Sequence, residues 1–176
     1  MSGNPQTRRE SEPPPSYHPY DPHAPAVARL VADAITAAEP GLEVEHIGST
    51  AVPGCAGKGI VDLMVLYSPG QLPRAKRVLD ELGFQQQTTR DPFPEDRPMR
   101  VGSVVHENKR FRVHAHVLAA DAAEVADLRT FRDRLRADPT FRSAYEALKQ
   151  RILAAGVEDS VAYAEAKGEF IKASRL

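Results

Sequence analysis

A chain of 176 residues with one cysteine, Cys55, cannot close an internal disulfide, which agrees with a reducing, cytoplasmic setting. No apolar run approaches the length that a bilayer span needs, so a membrane role is not expected. The start is polar and proline-rich, unlike a signal peptide. Neither sign of charge is in excess, with 23 basic residues against 24 acidic, so bulk nucleic-acid binding is not expected. The length is that of one ordinary domain with a substantial core.

What the sequence does contain is concentrated between His46 and Leu66. A short apolar strand around Val44 and Ile47 leads into a hydroxyl- and glycine-rich turn. A second strand, Gly59 to Leu66, is apolar except for Asp62. An ionised carboxylate in a buried run costs several kcal/mol unless charge or hydrogen bonds meet it, so a metal ion or a cationic group is expected beside Asp62. In the turn, Gly48 leaves the backbone open to a ligand, Ser49 and Thr50 offer hydroxyls, and Gly54, Gly57 and Gly59 widen the backbone choices. Such a loop can hold phosphate oxygens, or it can simply be a glycine-rich connection. A strand carboxylate beside it favours metal-assisted phosphoryl chemistry. Cys55 lies in the same loop, but no base follows it at the spacing of a nucleophile motif.

Gly48-Ser49, twelve intervening residues and then Asp62 between Val61 and Leu63 resemble the nucleotidyltransferase pattern of a Gly-Ser turn followed by a metal-binding strand. The longer run from His46 to Gly54, with Lys58 and Val61-Asp62, resembles the GrpB family of that superfamily. Val113 to Val117, Phe131 to Arg136, and the pairs Tyr145/Lys149 and Tyr163/Lys167 extend the likeness over residues 20 to 174. The resemblance implies an α/β (α+β) fold, with a mixed sheet flanked by helices and a C-terminal helical segment. It also implies relatives that occur alone or fused to dephospho-CoA kinase, and phosphate contacts from Lys149 and Lys167. Active members of the superfamily carry a second carboxylate two residues after the first, where this chain has Met64. A third usually lies on a later strand, where this chain has His114 and His116.

Along the chain, residues 1 to 16, with Pro13 to Pro15, read as a disordered arm. Residues 17 to 120 read as the α/β core, and 121 to 176 as helices packed on it. Asp21-Pro22 opens a helix whose apolar positions run from Val27 to Ala38, ended by Pro40-Gly41. Gln71 to Leu82 is a second helix, stopped by Gly83. Phe84 to Thr89 is the next expected strand, and Asp91 to Pro98 a proline-rich loop whose Arg97 and Arg100 would face an anion if it folded over a pocket. Val101 to His106 and Phe111 to Leu118 are expected as antiparallel strands with a turn near Asn108-Lys109. In the second, Arg112, His114, His116 and Leu118 share one face. Helices follow over Ala122 to Arg136, from Pro139 to Gly156, and over Asp159 to Ala173. Arg132, Arg134 and Arg136 alternate around their helix and form no nucleic-acid stripe.

If the strands of Asp62 and His114/His116 are neighbours, one carboxylate and two imidazoles can close on a divalent ion. That set suits manganese, zinc or iron better than magnesium. The expected function is metal-dependent transfer of a nucleotidyl group from a nucleoside triphosphate, or another phosphorylated small molecule, to a small acceptor. Gly48, Ser49, Thr50, Arg97, Lys149 and Lys167 bind substrate in this reading, while Asp62 and Lys58 are catalytic. Glu45 or His46 is the candidate base. The alternative is a non-catalytic nucleotide- or coenzyme A-binding module, as a monomer or a homodimer.

Overall fold

The computed structural model describes residues 13–174. Most of the expected arm, residues 1–12, lies outside the described residues. The chain enters through a bridge between His18 and Gly57. Helix α1 (Ala24–Ala38) follows, with Val27, Ala28, Val31 and Ile35 buried along one stripe. It begins later than Asp21-Pro22 suggests, because the Asp21 carboxylate accepts from the His23 N–H one turn before the helix. Strand β1 (Glu43–Ile47), a single 3₁₀ turn (Ser49–Ala51) and strand β2 (Val61–Tyr67) make the expected strand, turn and strand. Helix α2 (Leu72–Glu81) and strands β3 (Gln85–Gln86), β4 (Met99–His106) and β5 (Lys109–Ala119) come next. Helices α3 (Ala123–Ala137), α4 (Pro139–Ala154) and α5 (Ser160–Ala173) complete the chain. Asp138 and Asp159 cap the last two through their carboxylates, which accept from Phe141 and Ala162 N–H groups.

The sheet order is β1-β2-β5-β4-β3, with β2 and β5 parallel and every other pair antiparallel. The period of two decides which face each side chain takes. Val61, Leu63 and Val65 of β2, with Val113, Ala115 and Val117 of β5, pack under α1 and α2 in the main core. The alternate residues, Asp62, Met64 and Leu66 with His114, His116 and Leu118, belong to the opposite face, where α3 to α5 lie. A third cluster joins the loop residues Val52 and Cys55 to Leu135 and Tyr145 of the C-terminal helices.

Two expected boundaries shift. β3 is only two residues long, because the chain leaves the sheet ahead of the Asp91-Pro92 loop. The β4–β5 turn is tighter than expected: Glu107 and Asn108 form it alone, and His106 pairs with Lys109. Among the described residues no helix is long and apolar enough to cross a membrane.

Candidate active site

Parallel pairing places Asp62 opposite His114 and Met64 opposite His116. The Asp62 Oδ1 is 3.6 Å from His114 Nδ1 and 3.7 Å from His116 Nε2. The two strands are thus neighbours, and both imidazoles share the face of Asp62. Burial alone would raise the Asp62 carboxyl, but the facing imidazoles of His116 and His114, with the Lys167 ammonium beyond them, hold it below its usual range. It is therefore ionised at neutral pH.

The imidazoles are themselves oriented. Arg112 Nε donates to His114 Nε2 at 3.4 Å, and Arg97 Nη1 lies 3.3 Å from His116 Nδ1. A guanidinium has no acceptor, so each of these ring nitrogens must be the one without a proton. Burial depresses His114 to about 3, which keeps the ring neutral with its single proton on the nitrogen facing Asp62. By the same logic, the His116 Nε2–H is turned to the carboxylate. Both rings thus turn an N–H toward Asp62, at 3.6 Å and 3.7 Å.

Gly48 begins the wall of the site. Its φ of +73° lies in the left-handed region, and a Cβ there would stand 2.7 Å from Asp62 Oδ2. Only glycine lets the turn cross the carboxylate so closely. Ser49 follows, accepting from Lys149 Nζ at 3.1 Å and hydrogen bonding to the Tyr145 hydroxyl. Lys149 also donates to the Ala56 carbonyl and sits 3.9 Å from Cys55 Sγ. At 1% exposure the Lys149 ammonium is desolvated and its pKa falls to about 8. Desolvation also lowers Lys167, against the pull of Asp62. The two Tyr/Lys pairs share a helical face, and within each pair the ammonium lies over the ring: Lys149 over Tyr145 at 4.4 Å and Lys167 over Tyr163 at 4.6 Å. Lys58 approaches the same Tyr163 ring at 5.2 Å.

These groups line one cavity of about 630 Å³, with Gly48, Ser49, Asp62, His114 and His116 at the sheet and Lys58, Lys149 and Lys167 around them. The loop expected from Asp91 does contribute a wall, through Asp91, Pro92, Phe93 and Pro94, and Gln87 and Thr89, expected in a strand, extend it. Among the described residues the buried hydroxyls of Thr89 and Tyr163 have no hydrogen-bond partner, and both residues line this cavity.

Three expected participants are elsewhere. The buried Thr50 hydroxyl donates to the Ile60 carbonyl at 3.0 Å and meets His46 Nε2 at 2.9 Å, so it fixes the turn and lines no part of the cavity. Arg97 is not in the lining; it pairs with Glu124 of α3, stacks on Phe93 at 4.3 Å and reaches the site only through His116. Arg100, 2% exposed, is held by Asp80 and Glu95 rather than facing a ligand. Neither candidate base is in the lining: Glu45 is bound by Arg129 and Arg132, and burial lowers His46 to about 4. The α3 arginines likewise serve the protein itself, as Arg136 donates twice to the Ala51 carbonyl.

Met64 shares the face of Asp62, yet it is fully buried with Ile47, Leu66, Leu118 and Val125. Helix α3 closes over the position at which a second carboxylate would stand.

The family model for GrpB protein matches residues 14–175. A UPF0157 protein of Streptomyces coelicolor is 35% identical over 145 residues, covering 82% of this chain and 72% of that protein. The chain spans 57% to 76% of the length of the curated relatives it matches. Among solved structures, the conserved protein GrpB from Enterococcus faecalis superposes with a TM-score of 0.69 and 24% identity, over 90% of this chain and 94% of that one. The Cid1 poly(U) polymerase with MgGTP bound superposes with a TM-score of 0.53 and 14% identity, over 76% of this chain and 44% of that one. The fold is thus nucleotidyltransferase-like, a five-stranded mixed sheet flanked by helices.

Proposed function

The chain belongs to the GrpB family, and from that premise we propose that its cavity binds the phosphate chain of a nucleoside triphosphate and transfers the nucleotidyl group to a small acceptor. The observation that carries this reading is the convergence of Lys58, Lys149 and Lys167, from three separate segments, on the cavity beside Gly48-Ser49 and Asp62. The Lys149 ammonium is buried, and burial lowers its proton affinity and that of Lys167; such desolvated cations are costly without a counter-charge, and an anionic ligand relieves that cost. The unpartnered hydroxyls of Thr89 and Tyr163 add two positions that a polar ligand can satisfy. The likeness to a poly(U) polymerase supports a nucleotide as that ligand.

Asp62 is ionised and suits a divalent ion, whereas His114 and His116 each present an N–H, and an ion gripped by both rings would need Arg97 and Arg112 to move. Asp62 would therefore hold the ion that accompanies the triphosphate, with the imidazoles orienting it. This removes the reason to favour manganese, zinc or iron over magnesium. When bound, such an ion neutralises phosphate charge. The chain's own part is to seat the phosphates against the loop beside Gly48 and Ser49, to spread their charge over the three lysines, and to keep Asp62 charged.

Buried Met64 favours a second reading, a module that binds a nucleotide or coenzyme A-like molecule without reacting it. Calorimetric titration with the four ribonucleoside triphosphates and coenzyme A, with and without magnesium, tests both. Binding that weakens at least about tenfold in Lys149→Met and Lys167→Met supports the cavity as the site. Pyrophosphate release with an acceptor panel then supports transfer, and binding without release supports the module. Failure of every triphosphate and of coenzyme A to bind at millimolar concentration sinks both.

A further inference from the structure

We propose that His23, His106 and Glu107 form a second, surface site that takes a zinc-like divalent ion, separate from the phosphate cavity. One ligand atom from each, an imidazole nitrogen or a carboxylate oxygen, lies within 4.8 Å of the other two, and no other group among the described residues meets that test. His23 Nδ1 is 3.3 Å from Glu107 Oε2, and the two histidine rings are 5.9 Å apart at 57°. Two imidazoles and one carboxylate are a donor set that zinc favours, with a remaining position for water. The side chains of His23 and Glu107 are 46% and 66% exposed, so an ion reaches them from solvent.

The surrounding backbone supports the arrangement independently. Glu107 and Asn108 occupy the β4–β5 turn with φ of +47° and +63°. Asparagine tolerates that conformation well, but glutamate does not, and turns of this kind are dominated by glycine, asparagine and aspartate. A glutamate at the disfavoured position is directed toward His23. On the other side, Asp21 accepts from the His23 backbone N–H at 2.9 Å and pairs with Lys109, the residue opposite His106. That ion pair ties the segment before α1 to the hairpin and keeps the Lys109 ammonium occupied with Asp21. The donors are therefore drawn from two segments already fastened together, which limits the ordering cost of binding. Lys109 and His114 are five positions apart on β5, about 17 Å along the strand, so this site and the cavity do not share ligands.

The test is competition between the chelator-stripped full-length protein and a chromogenic zinc chelator, using zinc sulfate alone. The expected result is one tightly bound equivalent whose affinity falls at least about tenfold in His106→Ala and in Glu107→Gln, both at the surface hairpin, while Asp62→Asn leaves it unchanged. Failure of the wild-type protein to compete, or affinity retained in both hairpin variants, overturns the proposal. So does a loss that follows Asp62→Asn alone.

Discussion

At the scale of single residues, Gly48 and Lys149 set the terms of the site. Gly48→Ala puts a methyl group 2.7 Å from the Asp62 carboxylate and forces a left-handed φ on alanine. The expected cost is about 1–3 kcal/mol in denaturant unfolding, with a displaced carboxylate and weakened triphosphate binding. Gly54→Ala is the control, because Gly54 has φ +78° but nothing within 4 Å of an added Cβ. It should lose roughly 1 kcal/mol and keep its ligand affinity. Lys149, at about 8, is charged below that pH and neutral above it. Affinity for an anionic phosphate chain should therefore hold below pH 8 and fall as pH rises beyond it, the fall being delayed to the extent that bound phosphate stabilises the ammonium. Lys149→Met should flatten that segment of the titration. For folding, the sign is the reverse. The unfolded chain binds the Lys149 proton more tightly than the native one, so this residue penalises the fold below pH 8 and releases the penalty between 8 and the ordinary lysine value.

At the scale of elements, the pairing of β2 with β5 and the closure by α3 explain both what was readable in the residues and what was not. The period of two made the shared face of His114 and His116 readable, and the lone carboxylate of β2 marked Asp62, so the centre of the site followed once the two strands paired. Thr50 misled because its partners, His46 and the Ile60 carbonyl, are brought to it by the 3₁₀ turn, which hydrophobic patterning does not encode. The tautomers of both histidines depend on Arg97 and Arg112, and Arg97 reaches His116 only through a proline-rich loop that has no period. The absence of a carboxylate at Met64 was plain in the sequence, but its burial under Val125 of α3 was not. That burial gives a prediction: Met64→Asp should not rebuild a two-carboxylate centre. It should instead lose about 3 kcal/mol or more in thermal or urea unfolding and give no gain in pyrophosphate release, because the new charge is buried among aliphatic side chains.

At the scale of the whole molecule, the cavity is shared between the sheet and helices α3 to α5, and a hydrophobic cluster joins Val52 and Cys55 of the β1–β2 loop to Leu135 of α3 and Tyr145 of α4. We propose that residues 17–120 and 121–176, divided on sequence grounds, unfold as one cooperative unit. A triphosphate at a hundredfold excess over its Kd should then raise a single calorimetric transition, adding about 2.7 kcal/mol and roughly 5–10 °C. Two transitions, only one of them shifted by ligand, would show that the helices are an independent unit.

The parallel alignment of Asp62 with His114 also has a kinetic consequence. The donors for this carboxylate arrive from a strand that cannot dock until the chain between has been made and threaded across, a closure of long range in sequence. Until then the carboxylate has only water for company, and the strand that bears it stays wet. Early compaction should begin where α1 meets the β1–β2 pair, and acquisition of a ligand-competent centre should be the slowest phase in a stopped-flow refolding trace.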